Sequence, residues 1–201
     1  MTNEHLEFLR SRYSVRKFTN QPVPKELLER LLETATWAPS AHNRQPWRMV
    51  VLESQEMRDR LGAAMGAQLE QALVDEGVDA DAARARVELS RQRISRAPLG
   101  ILLCVDEEAV PLQPDIERQS REYQMAVQST ALAGGTLLLA AHAEGLEGVW
   151  LCAPLFQSKV VRQTLDLPDT WHPQGLLLIG YPDEPPQPRN RRPWQEVTVY
   201  R

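Results

Sequence analysis

No run of apolar residues approaches the roughly 20 needed to cross a bilayer. The N-terminal MTNEHLEFLRSR has no apolar segment of the kind a secretory signal carries, so the expectation is no membrane partner and a cytoplasmic setting. Excess positive charge is also missing. A net charge of -4 and a pI near 5.6 argue against a nucleic-acid surface. Cysteine is scarce: Cys104 and Cys152 lie in the apolar runs LGILLCV and GVWLC, without the spacing of a metal or redox pair, and read as two buried, inert thiols. His5, His42, His142 and His172 are scattered, with no metal-ligand spacing and no evident carboxylate partner. His142, inside an apolar helix, reads as a satisfied core histidine. There is no glycine-rich dinucleotide fingerprint, phosphate loop or serine nucleophile elbow. No catalytic side chain and no metal site emerge, so an enzyme built this way has to borrow its chemistry from a bound cofactor.

What is present fits one core. The 201 residues, 42% hydrophobic and 25% charged, suit a single soluble domain with appendages. Helical spacing predicts amphipathic helices over 3–11 and 24–36, the second opening with Pro24 and closed by Pro39. A strand is predicted over 49–52. The charged region 55–96 reads as two helices broken at Gly77, and 106–120 as a loop. LGILLCV at 99–105 is apolar on both faces and reads as a central strand. Residues 121–145 are apolar almost all round, which predicts a buried helix with Gly134 and Gly135 in close packing. Strands at 148–152 and 175–181 follow, with a short helix between them. The tail 183–201 is proline-rich and reads as an extended arm. The expected fold class is α+β, a mixed central sheet surrounded by helices.

Two arginine clusters suggest a ligand. Only three of the 23 basic residues are lysines, a bias that genome composition or a warm habitat explains as well as function does. In RSRYSVRKF, an extended chain would aim Arg12, Ser14 and Arg16 at one side; in PRNRRP, Arg189 and Arg191 alternate in the same way. Solvated charge runs are the plain alternative. Ser14, between two arginines, adds the neutral donor that a terminal phosphate also uses. A third stretch, TWAPSAHNRQPWRMVVLE, puts a turn of hydrogen-bonding side chains between two core elements.

RYSVRKFTNQPVP, ATWAPSAHNRQPWRMVVL and PRNRRP, in this order and separation, resemble the flavin-dependent nitroreductase family over essentially the whole chain. Within it the sequence is most similar to the subgroup related to the C-terminal domain of the deazaflavin-coenzyme glutamyl ligase. The resemblance implies an intertwined homodimer with FMN at the interface, and residues 1–201 as one FMN-binding domain with an arm over 183–201. It implies that Arg12, Ser14, Arg16, Arg189 and Arg191 hold the phosphate and nearby pyrimidine edge, and that Ser40, Asn43 and Gln45 reach the same flavin from the partner. His42 and Arg44 would point the other way. Arg93, with Ser90, would face the flavin's carbonyl edge; Pro154, Leu155 and Phe156 would pack on one flavin face, with Phe156-Gln157 replacing the Glu-Gly pair of other members. The implied activity passes electrons from NAD(P)H through FMN to a small organic acceptor such as a nitroaromatic or quinone. Reduction of a dehydro deazaflavin-coenzyme precursor and non-catalytic flavin binding are the alternatives.

Overall fold

The computed structural model describes residues 3–185 and 189–201. Positions 186–188, part of the expected proline-rich arm, lie outside the described residues. Helix α1 (Glu4–Ser11) starts where Asn3 accepts the His5 amide, and none of its residues is buried. Helix α2 (Lys25–Ala35) follows Pro24, which holds the cap position itself. Leu27, Leu28, Leu31 and Ala35 form the buried stripe that the spacing predicts.

Four strands, β1 (Trp47–Leu52), β2 (Leu99–Asp106), β3 (Glu147–Leu151) and β4 (Trp171–Gly180), form one sheet in the order β1-β2-β4-β3. All three ladders are antiparallel, so the α+β class stands while the mixed character shrinks to one parallel bridge, Ser14 to Gly148. The connections explain this. Helices α3 (Gln55–Asp75) and α4 (Ala80–Arg96) run out and back, returning the chain to the end of the sheet it left, so β2 must run against β1. Gly77, at φ +79, makes the turn between them. One long helix, α5 (Ile116–Ala143), then carries the chain across, so β2 and β3 point the same way; β4 enters between them, antiparallel to both.

The sheet buries both faces. Leu99, Ile101, Leu103, Leu177 and Ile179 meet α2 and α5 on one side. Leu102, Cys104, Leu176 and Leu178 meet residues of α3, of α4 and of α7 (Ser158–Leu165) on the other. That two-sided burial is why β2 reads as an unbroken apolar run. It also pushes the Cys104 thiol up to about 12. A bulge between Leu103 and Cys104 sets Pro173, which has no N–H to give, at an irregularity of the ladder.

Three expectations need correction. Helix α5 begins at Ile116, inside the expected loop, because Asp115 caps the Arg118 amide at 2.8 Å. Nor is α5 buried all round: Gln124, Gln128 and Ala131 are exposed and Leu132 is 50% exposed. Cys152 is exposed, because it follows the edge strand β3 at the cap of the short helix α6 (Ala153–Phe156). No described helix is long and apolar enough to cross a membrane.

The expected close packing is found at Gly134 but not at Gly135. A Cβ at Gly134 would lie 2.2 Å from Trp150 Cζ3 and 2.5 Å from Leu103 Cδ1, whereas one at Gly135 meets nothing within 4 Å. Gly175 on β4 is equally tight, 2.4 Å from Trp150 Cε2. The Trp150 indole thus lies against two positions without side chains. Gly134→Ala should lower the unfolding free energy by about 1–3 kcal/mol through overpacking, despite the better helix propensity of alanine; urea denaturation at constant m-value checks this.

Candidate functional site

The chain leaves α1 at Arg12 in extended conformation and is fastened to the sheet at two places. The Val15 amide donates to the Gly148 carbonyl at 3.2 Å, and the Thr19 amide to that of Tyr181 at 2.9 Å. Arg12 and Arg16 therefore project from a strand-like segment anchored by its backbone.

Five of the seven arginine and serine positions singled out beyond the turn converge. A cavity of about 400 Å³ is lined by Arg16, Arg93 and Arg189, together with Lys17, Phe18 and Arg96. A second, of about 580 Å³, is lined by Ser11, Arg12, Tyr13, Arg189 and Arg191. Arg189 belongs to both, so the arm joins the two spaces. Ser14 lines neither cavity; it is exposed beside its bridge to Gly148. Ser90 also lines neither, since it sits on another side of α4.

The cavities gather arginines without closing them on carboxylates. Arg30, Arg44, Arg48, Arg84 and Arg91 each pair with a carboxylate. Among the described residues, no carboxylate lies within 4.0 Å of the charged nitrogens of Arg12, Arg16, Arg93, Arg189 or Arg191, and within the larger group only Lys17 is paired, with Glu184 at 3.7 Å. Asp183 and Glu184 line the first cavity without closing on its arginines. Guanidinium groups gathered and left uncompensated are what an anionic ligand requires.

Sequence reasoning missed Arg96, Gln92 and Leu89, which line the first cavity with Arg93. The signal was available: from Leu89 the others follow at i+3, i+4 and i+7, one face of a helix. Lys17 falls out of the alternating register of Arg12, Ser14 and Arg16, while Phe18 keeps that register but carries no polar group to mark it.

The polar turn after α2 behaves differently. His42, Asn43 and Gln45 have φ of 53, 53 and 51°, a left-handed conformation that costs a non-glycine residue roughly 1–2 kcal/mol. Hydrogen bonds hold it. Ser40 Oγ accepts the Gln45 amide at 3.1 Å, the Ala41 amide donates to Ser129 Oγ at 3.2 Å, and Gln45 Nε2 donates to Asn43 Oδ1 at 3.2 Å. Arg44 pairs with Glu122 of α5 at 2.7 Å, so it pins the turn, while His42 is exposed. Ser40, Asn43 and Gln45 line neither arginine cavity of their own chain. Pro154, Leu155 and Phe156 also stand apart from them; Pro154 is buried, whereas Leu155 is 49% and Phe156 80% exposed.

Two histidines do have carboxylate partners, contrary to the sequence reading. His142 contacts Glu147 at 2.6 Å and His172 contacts Glu107 at 2.9 Å. Both partners are distant in the fold's connectivity or follow a turn, which no local spacing reveals.

Comparison with known proteins gives the arrangement a family. The nitroreductase family profile matches residues 9–181. The chain belongs to the nitroreductase family. A Thermus thermophilus protein named NADH dehydrogenase is 33% identical, over 94% of this chain and 92% of its own. Among solved structures, a nitroreductase-like family protein from Bacillus cereus has a TM-score of 0.76 at 24% identity, covering 100% of this chain and 97% of that one. The NADPH:FMN oxidoreductase from Vibrio harveyi complexed with NAD+ has a TM-score of 0.77 at 20% identity, covering 98% and 77%. These two share the fold.

Ser40→Ala strips the Gln45 amide of its partner inside a strained turn. Stability should fall by about 0.5–1.5 kcal/mol, with faster hydrogen exchange at the Gln45 amide; thermal unfolding and exchange measured together test whether the hydroxyl closes the turn.

Proposed function

We propose that this nitroreductase-family chain is an FMN-dependent oxidoreductase that takes electrons from NAD(P)H and delivers them to a small organic acceptor, such as a nitroaromatic or a quinone. The observation that carries this reading is the set of five arginines with no carboxylate partner among the described residues, around two cavities that share Arg189. A terminal phosphate and a carbonyl-rich ring edge are the anionic and acceptor groups that such donors suit. Bound FMN would supply the electron-transfer chemistry.

The chain's own residues would bind and orient. Arg12, Arg189 and Arg191 suit the phosphate, and Ser14, outside both cavities of its own chain, would join them as a neutral donor only from the exposed edge of the segment; Arg16 and Arg93 suit the ring's polar edge. No side chain is assigned acid–base work. Pro154, Leu155 and Phe156 would pack on one ring face, leaving the other for donor and acceptor in turn.

A homodimer completes the reading. Ser40, Asn43 and Gln45 sit away from the arginine cavities of their own chain, which favours service to a partner's flavin. The chain also exposes apolar surface that a second copy would cover: Trp37 is 82%, Leu132 50% and Tyr200 81% exposed. We read residues 1–201 as one FMN-binding domain with its arm over 183–201, working in the cytoplasm. The opening motifs favour the subgroup related to the deazaflavin-coenzyme ligase domain, which would narrow the acceptor to a dehydro deazaflavin precursor.

The purified protein should be yellow or take up FMN stoichiometrically in preference to FAD. Arg189→Ala/Arg191→Ala should weaken FMN binding by about 3 kcal/mol or more if each bond is charge-assisted, against under about 1 kcal/mol for solvated charges. Equilibrium titration of flavin fluorescence decides, and an unchanged dissociation constant in the folded variant would refute the clamp.

Mixed dimers test the shared site. With Asn43→Ala on one chain and Arg16→Ala on the other, one intact and one doubly damaged site are expected. Two equally impaired sites would show that each flavin is held within one chain.

A further inference from the structure

His142 lines neither arginine cavity, yet its partner Ser11 lines the second. Its Nδ1 lies 2.6 Å from Glu147 Oε1 and its Nε2 2.8 Å from Ser11 Oγ. Ser11 Oγ is also 2.8 Å from the Phe8 carbonyl oxygen. The Phe8 ring stacks on the imidazole, with centroids 5.0 Å apart.

These three contacts can be balanced only in certain proton states, because a hydroxyl has one hydrogen and a carboxylate none. A neutral imidazole with its hydrogen on Nδ1 serves Glu147, but Nε2 must then take the only hydrogen of Ser11. The Phe8 carbonyl, one of the free acceptors at the end of α1, loses that donor. With the hydrogen on Nε2, Ser11 is free to serve Phe8, but the Nδ1 lone pair faces a carboxylate. One additional proton on the pair satisfies everything: Nδ1–H donates to Glu147, Nε2–H to Ser11, and Ser11 O–H to Phe8. The aromatic face of Phe8 favours the resulting cation.

The consequence reaches the anion-binding segment. Glu147 and Gly148 are consecutive residues of β3. Glu147 holds His142 and, through it, Ser11; Gly148 accepts the Val15 amide and bridges Ser14. Arg12, Tyr13 and Ser14 are strung between two fastenings side by side on one strand. We infer that His142 is a positioning residue for the Arg12–Arg16 segment, fastening it when the His142–Glu147 pair holds one extra proton and slackening it when that proton leaves. For Arg12 and Arg16 as flavin ligands, the inference rests on the function proposed above.

The charged groups around the imidazole are few. From β3 comes Glu147, whose only ion-pair partner among the described residues is His142 and whose Oε2 is buried without a hydrogen bond. The segment itself brings Tyr13, whose hydroxyl is pushed up by burial first and then by the charges of Glu147 and Glu184. At the end of α5, Glu144 is engaged by Arg30 of α2 at 2.9 Å. The order serine, histidine, carboxylate also matches a hydrolase nucleophile. Ser11, however, is the last residue of α1, where free carbonyls and the negative helix end oppose a developing oxyanion.

The test uses the whole chain as wild type, His142→Phe and Glu147→Gln, at pH 6 and pH 8. Two quantities are read: the FMN dissociation constant, and the hydrogen-exchange protection factor of the Val15 amide in flavin-free protein. The phosphate of FMN titrates in the same range, so affinities are compared as ratios to His142→Phe at each pH. The wild-type advantage should be about three- to tenfold larger at pH 6 than at pH 8, the difference between a charge-assisted and a neutral hydrogen bond. Glu147→Gln should hold its advantage at both pH values, because a glutamine amide can donate to Nδ1 of a neutral imidazole and complete all three bonds without the extra proton. A ratio independent of pH, or Glu147→Gln behaving like His142→Phe, overturns the inference. If FMN fails to bind while Val15 protection follows this pattern, the flavin reading falls and the fastening stands. Hydrolysis of 4-nitrophenyl acetate that Ser11→Ala abolishes would assign the trio to acyl transfer instead and overturn it.

Discussion

Gathering like charges without counter-ions costs free energy, and the elements around the arginine cavities work under that constraint. Arg12, Arg16, Arg93, Arg189 and Arg191 come from three separate stretches of chain, so only the fold keeps them near one another. The sheet supplies the rigidity. Its central strands are buried on both faces, and burial of that extent is the largest favourable term such a structure has. The site itself lies at the margin, on segments attached to the sheet by a few backbone contacts.

Edge strand β3 is where core and margin meet. Its Gly148 holds the segment that follows α1, its Glu147 engages α5 through His142, and its end leads into the segment of Pro154, Leu155 and Phe156. A movement of this strand would be felt at each of them. The polar turn after α2 is fixed by other means: its left-handed residues are held by Ser40, Ser129 and the Arg44–Glu122 pair, so local strain is offset by bonds to α5.

Much of this was legible in the sequence, for reasons that differ by element. The stripe of α2 and the unbroken apolar run of β2 follow from periodicity and two-sided burial. The antiparallel ladders were not legible, because direction depends on whether one helix or two returns the chain, and strand adjacency is a tertiary property. Helix α5 was misread at its start because the Asp115 cap outweighed the loop signal of Pro111 and Pro114. It was misread around its circumference because Ala131 and Leu132 look apolar wherever they face, and their weight hid the polar side that Gln124 and Gln128 mark. Of the site, Arg12, Arg16, Arg93, Arg189 and Arg191 were found by motif and converge. The carboxylate partners of His142 and His172 were invisible, since side-chain pairing across elements leaves no spacing to read.

The indole of Trp150 occupies room that two other segments give up. Gly134 on α5 and Gly175 on β4 each present bare backbone to the ring, and a methyl group at either would overlap it. The three positions are far apart in sequence yet form one steric unit. A lineage that replaced the tryptophan with a smaller residue would be released to add side chains at both glycines, and once it had, the ring could not return without losing them. Divergence at this spot is therefore a ratchet, in which the tryptophan shrinks before either glycine gains a side chain at no steric cost.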